Sequence, residues 1–304
     1  MLKRKLIRSG LFGYVVLLIL AVAISSGKPI LISGQSSRTD STSQFLCFDP
    51  ALLQLNGQNN MDLADAPVLA LHQNAVKFVD SYIGRNNCRL QQIKDNHPRF
   101  FRIMDSVFTR YKLPVQLKYL AVVESELNTR AVSRVGAVGA WQLMPETARI
   151  LSLKVNESTD ERTHFYKSTV AAAKYLRDLN RLFDDWLLAL AAYNAGPAPV
   201  YAAIKKSGSR NFWNLQYHLP EETRNHVKKF ISTHYYFEGK GGITTLSKTE
   251  RQAYTQAMMA FVEKQNKLTT ERMEKENNKP EQVSVDSKIA VVAPVLGAAL
   301  TVIE

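Results

Sequence analysis

Cysteine is scarce in this chain: Cys47 and Cys88 are its two among 304 residues. Neither belongs to a Cys/His spacing that would make a zinc site, and neither sits in a pattern expected of a catalytic thiol. Both read as structural. An even count permits a disulfide between them in an oxidising compartment, without showing that their geometry suits one. Strand-like alternation is missing from residues 68–240, where apolar residues recur at helical intervals instead. Helix-turn-helix, zinc-finger and RNA-binding signatures are missing too, so a nucleic-acid role would rest on charge alone. That charge is +12, from 39 Lys+Arg against 27 Asp+Glu, and it favours polyanions generally: nucleic acid, anionic lipid or an acidic wall polymer. With 45% hydrophobic and 22% charged residues, the composition excludes a collagen-like chain or wholesale disorder. A chain this long can bury a core without disulfide or metal staples.

The N-terminus carries Lys3, Arg4, Lys5 and Arg8 ahead of an apolar run over residues 11–24, and Ala23-Ile24-Ser25 forms a small-x-small site. This pattern reads as a secretory signal over residues 1–25 or, left uncleaved, an inner-membrane anchor. The run is short against the roughly 20 apolar residues a spanning helix needs. A leader or linker follows over residues 26–67, rich in Ser, Gly and Thr to about residue 44.

Helical periodicity begins at about Val68. Val68, Leu71, Ala75, Val76, Val79 and Ile83 recur near every 3.6 residues. A second helix follows Pro98, with Phe101, Met104, Val107, Phe108 and Tyr111 inward. Pro114 opens a third, favoured because a first-turn proline lacks only an N–H that is unneeded there. Pro145 starts a short helix to Leu151. Residues 168–183 are amphipathic, with Val170, Ala173, Leu176, Leu179 and Leu182 inward, and residues 185–193 predict a helix buried on all sides. Helices over 197–206 and 221–236 complete an all-α set. Gly239, Gly241 and Gly242 mark a hinge to a tail over 241–304. It holds a polar helix-like stretch at 249–267, a charged stretch at 271–286 expected to be disordered, and an apolar end at 289–303 too short to span a bilayer.

One residue breaks the helical pattern. In Leu120-Ala121-Val122-Val123-Glu124 a carboxylate shares a helix face with Leu117 and Leu120. Burial among apolar groups disfavours the charged form of a carboxylate, which suits a general acid. A surface glutamate on an amphipathic helix is the plainer reading of this helix by itself. Glu126, two residues on, faces away and makes a poor second carboxylate, whereas most glycosidases use a pair. A glycan-cleaving enzyme built on this chain would work with one.

Downstream lie Ser133, Gly136, Gly139 and the run Trp141-Gln142-Leu143-Met144-Pro145-Glu146-Thr147-Ala148, then Ala191-Ala192-Tyr193-Asn194-Ala195-Gly196. Each piece alone reads as turn, helix end or core. In this order and spacing, "VVESELNTRAVSRVGAVGAWQLMPETA" followed by "AAYNAG" resembles the lytic transglycosylases that share the goose-type-lysozyme-like fold. "YKLPVQLKYLAVVES" and "LPEETRNHVKKF" are most similar to the membrane-bound lytic murein transglycosylase D type. The resemblance covers about residues 75–240. It implies an all-α lysozyme-like catalytic domain over 113–240, with residues 68–112 as an N-terminal helical extension.

The resemblance also implies roles. Glu124 matches the catalytic acid/base, and Ser133 matches a serine that contacts the reacting sugar or orients the carboxyl. Gln142 and Met144 match lining residues, Tyr193 and Asn194 the opposite wall, and Glu222 an element that closes the cleft. His226 stands where a tyrosine that often lines the site is common; Thr129, Ala140 and Lys228 are further departures. The implied substrate is the peptidoglycan glycan strand, cut between N-acetylmuramic acid and N-acetylglucosamine to leave 1,6-anhydro ends. No metal or organic cofactor is implied, and the expected location is the periplasm or cell envelope, with membrane association left open. Trp141 and Tyr193 are candidate flat faces for sugar rings, with core packing an equal reading for Trp141. A hydrolytic muramidase on the same fold and a non-catalytic wall-binding protein are the rival readings.

Overall fold

The computed structural model describes residues 65–277, with side chains to Lys275. The candidate signal or anchor, most of the leader, Cys47 and the apolar end at 289–303 lie outside the described residues. Cys88 is exposed. Among the described residues no helix is long and apolar enough to cross a membrane.

The described residues are all-α, as expected. Helix α1 spans Gln73–Asn96, capped by His72, whose Nδ1 accepts from the Asn74 amide at 3.1 Å. It starts later than the periodicity implied: Val68 precedes it and is exposed, while Ala75, Val79, Leu90 and Ile93 form its buried stripe. Helix α2, Pro98–Arg110, buries Met104, Val107 and Phe108. After Pro114 the chain first makes a 3-10 turn over Val115–Lys118 and becomes α-helical only at Tyr119, giving the short α3, Tyr119–Ser125. Helix α4 is Pro145–Ile150 and α5 is Phe165–Phe183.

Helix α6, Trp186–Ala195, is the hub. Every residue from Trp186 to Ala192 is buried, so it has no polar face, as its sequence predicts. Asp185 caps it, accepting from the Leu188 amide at 3.1 Å; burial pushes its carboxyl up, opposed by backbone donors including the Lys248 amide. Gly196, at φ 81°, ends α6 and Pro197 starts α7, Pro197–Ser207. The four-residue α8, Phe212–Leu215, precedes α9, Glu221–Glu238. Thr223, His226, Val227, Phe230, Ile231 and His234 form a buried stripe that packs α9 against α1, α3 and α6. Burying one such apolar side chain contributes about 1.5–3 kcal/mol.

Two expectations need correction. Leu182 is 45% exposed, because Leu179 and Phe183, one turn apart, already fill the core side of the last turn of α5. The charged stretch expected to be disordered from Glu271 is helical through Asn277, continuing α10, Lys248–Asn277. One compact unit continues past the Gly239–Gly242 stretch to Phe261, and a second unit begins at Val262. Two ionic ties explain the extension. Lys248 and Arg251 both pair with Asp184, at 2.7 and 3.0 Å, and the Lys248 amide donates to Asp185.

Candidate active site

The site assembles around the C-terminal end of α3. Glu124 sits one turn past the fully buried Leu120, with its side chain 13% exposed. The helix stops immediately afterwards. Glu126 and Leu127 take left-handed backbone, φ 56° and 65°, which no α-helix continues through. Ser125 ties this end to the next segment, its Oγ donating to the Ala140 carbonyl at 2.9 Å. Glu126 points to Arg89 of α1, 2.6 Å away, and lines with it a cavity of about 310 Å³ between α1, α3 and α9 that Glu124 does not line.

The segment from Leu127 to Met144 is a folded-back loop. Isolated antiparallel bridges join Val132 to Val138 and Val138 to Leu143. Ser133 holds the tip: its Oγ accepts from the Ala137 amide and its own amide donates to the Ala137 carbonyl, both at 2.9 Å. Gln142, at φ 45°, donates from Nε2 to the carbonyls of Gly139 and Ala131. Met144 precedes α4 and is 37% exposed. Gly139 is obligatory here: its φ is 84°, and an added Cβ would lie 2.2 Å from the Arg162 carbonyl oxygen.

Arg162, which the sequence did not single out, clamps this loop. Its Nη1 donates to the carbonyls of Gly136 and Leu143 at 2.8 and 3.0 Å, while Nε and Nη2 grip Asp160. The guanidinium's hydrogen bonds hold the Asp160 carboxyl below the ordinary range.

The opposite wall comes from α6 and α9. The Tyr193 hydroxyl donates to the Trp141 carbonyl at 2.7 Å. Burial, with the Glu124 carboxylate and Tyr175 adding to it, pushes the Tyr193 phenol well above its ordinary value. Tyr175, whose ring lies 5.3 Å from that of Tyr193, is pushed up to about 12 by burial. Trp141 itself is fully buried and donates to the Thr169 hydroxyl at 2.9 Å, so it belongs to the core and offers no face to a sugar.

His226 of α9 meets Glu124 directly, Nε2 to Oε1 at 2.9 Å, with its side chain 8% exposed. Glu222 is exposed on the first turn of α9. The residue beside it does the joining: Thr223 is buried and donates to Oδ1 of Asn194 at 2.8 Å. The stripe 223, 226, 227, 230 on α9 carried a signal for Thr223 that the motif around Glu222 obscured. The structure therefore joins Glu124 to His226, Tyr193 to the Gln142 loop, and Asn194 to Thr223. Met144 rims the loop, and Glu222 is exposed next to Thr223. Among the described residues no group of three or more His, Cys, Asp or Glu is placed to hold a metal ion.

Residues 108–216 match the family described as Transglycosylase SLT domain. The match takes in Glu124, Ser133, Gln142, Met144, Tyr193 and Asn194, and stops short of Glu222, Thr223 and His226. Over 125 residues, 40% of its length, the chain is 40% identical to membrane-bound lytic murein transglycosylase D of Escherichia coli (strain K12), covering 27% of that protein. Over 108 residues, 35% of its length, it is 35% identical to a protein of Alteromonas sp. (strain M-1) described as a tributyltin chloride resistance protein, covering 52% of it. The chain thus spans about a quarter and about half the length of these curated relatives. A solved structure, the 70 kDa soluble lytic transglycosylase of Escherichia coli, aligns with 48% of this chain and 26% of its own at 28% identity and a TM-score of 0.41.

Proposed function

We propose that this SLT domain is a lytic transglycosylase acting on the glycan strands of peptidoglycan, with Glu124 as its one acid/base. The observation that carries the reading is the near-buried Glu124 carboxylate at the end of α3, inside the matched span and beside the Tyr193 wall. Glu126, the acidic residue nearest in sequence, is committed to Arg89. A retaining or inverting glycosidase would need a second, facing carboxylate.

Protonated Glu124 donates to the glycosidic oxygen between N-acetylmuramic acid and N-acetylglucosamine, and the C–O bond breaks with its electron pair on the leaving oxygen. The substrate's 2-acetamido group stabilises the muramyl anomeric carbon. Ionised Glu124 then takes the proton of the muramyl 6-hydroxyl, whose oxygen closes on that carbon to give a 1,6-anhydro end, and no water is consumed. Ser133, Gln142 and Met144 on one side and Tyr193 and Asn194 on the other are the proposed substrate-binding residues. The +12 charge suits a polymer whose stems carry carboxylates. The basic and apolar N-terminus supports export to the envelope, as a cleaved signal or an anchor.

The test is a digest of purified sacculi by the wild-type protein and Glu124→Gln, with muramyl ends read by mass spectrometry. Anhydro ends from the wild type, reduced about 10²–10⁴-fold in the variant, are expected. Reducing ends would mean a muramidase. No new ends, with binding retained, would mean a wall-binding protein.

A further inference from the structure

His226 meets the Glu124 carboxyl, 102 residues away in sequence, through a 2.9 Å contact between Nε2 and Oε1. Its other ring nitrogen, Nδ1, is buried and meets no hydrogen-bond partner among the described residues. That asymmetry decides what the ring can do. A protonated Nδ1 would be an orphaned buried donor, and buried N–H groups without partners are rare. A doubly protonated ring would add a buried charge to the same orphan. The neutral ring with hydrogen on Nε2 leaves only a bare lone pair at Nδ1, and it gives Oε1 of Glu124 a donor.

We propose that His226 is a positioning residue that holds Oε1 of Glu124 through its Nε2–H, so that Oε2 is the oxygen that gives and then takes the proton. The proposal rests on the reading of Glu124 as acid/base. In the first half-reaction the Oε2–H proton passes to the glycosidic oxygen, which leaves with the bonding pair. In the second, Oε2 takes the proton of the attacking 6-hydroxyl. Nε2 keeps its hydrogen throughout, so it serves the acid and the carboxylate form alike. The alternative tautomer would need the Glu124 proton on Oε1, aimed at the ring and away from any substrate. With nothing at Nδ1 to pass a proton to, the ring is a fixed donor and no relay.

Two measurements test this. Imidazole ¹⁵N spectra of the wild-type protein should show Nε2 protonated and Nδ1 bare; hydrogen on Nδ1 would overturn the proposal whether or not the protein cuts sacculi. In kinetics on sacculi, His226→Phe should lower kcat about 10- to 100-fold, the loss of one hydrogen bond to a charged group, with half-saturation changed less than about twofold. His226→Gln places an amide N–H near the Nε2 position and should recover most of that loss. His226→Asn is too short to reach and should stay as slow as His226→Phe. The Gln and Asn pair keeps the test decisive if the Phe variant unfolds on heating before the others. Equal rates for Gln and Asn, or a His226→Phe rate equal to wild type, would sink the positioning role. Absence of anhydro ends from the wild type would instead sink the transglycosylase reading.

Discussion

A second histidine on α9 faces the opposite demand. His234 is buried between Tyr119 and Phe230, with Nδ1 3.3 Å from the Thr244 hydroxyl. Burial, with Lys118 adding to it, lowers its pKa to about 3. The folded chain therefore keeps His234 neutral, while the unfolded chain protonates it below about 6.5. Its contribution to stability is whole above about pH 6.5 and falls as the pH drops toward 3. The slope cannot exceed about 1.4 kcal/mol per pH unit. Denaturant titrations at a series of pH values should show a shallower acid loss for His234→Gln than for wild type. Identical slopes would mean that the ring is protonated in the fold. His226 and His234 lie two turns apart on one face, and their partners alone separate a group aimed at the site from one sealed in the core.

The loop between α3 and α4 shows how far an element can be read before it is seen. Gly136 and Gly139 were legible as turn residues, and Gly139 has a firm reason: its missing Cβ makes room for the Arg162 backbone. Gly139→Ala should destabilise the protein by about 2–4 kcal/mol and slow glycan cleavage, because either the left-handed backbone or the Arg162 backbone must move. Thermal unfolding and the sacculus digest would check both halves. Arg162 itself was not legible. It lies in a polar stretch with no period, and its carbonyl acceptors are 19 and 26 residues away. Hydrophobic periodicity located α2, α5 and α6 because burial alone sets their pattern. It misread Leu182, since a stripe does not say which of two flanking residues the last turn turns outward. Glu124 was legible as a polar break in an apolar face. Its partner on α9 was named as a substrate-binding candidate at a departure from the resemblance, and not as a partner of Glu124, because nothing local to His226 points to a residue 102 positions earlier.

At the scale of the molecule, the span that matches the SLT family model is smaller than the unit that holds the candidate site. Residues 108–216 leave out α1, α2 up to Val107, and all of α9. Yet Val227, Phe230 and Ile231 of α9 are fully buried, and α9 packs on α1, α3 and α6. A fragment of residues 108–216 alone should fail to fold cooperatively, and residues 65–277 should fold. Circular dichroism melts and limited proteolysis would separate them; a stable, active short fragment would mean that α9 is dispensable.

The join between Glu124 and His226 also sets an order in time. A chain is made from its N-terminus, so the acid exists 102 residues before the ring that holds it. The growing chain therefore carries the proposed acid without its brace until the α9 sequence is free to fold back over it, and a truncated product ending anywhere before residue 226 has the sequence around Glu124 but an unsteadied carboxyl.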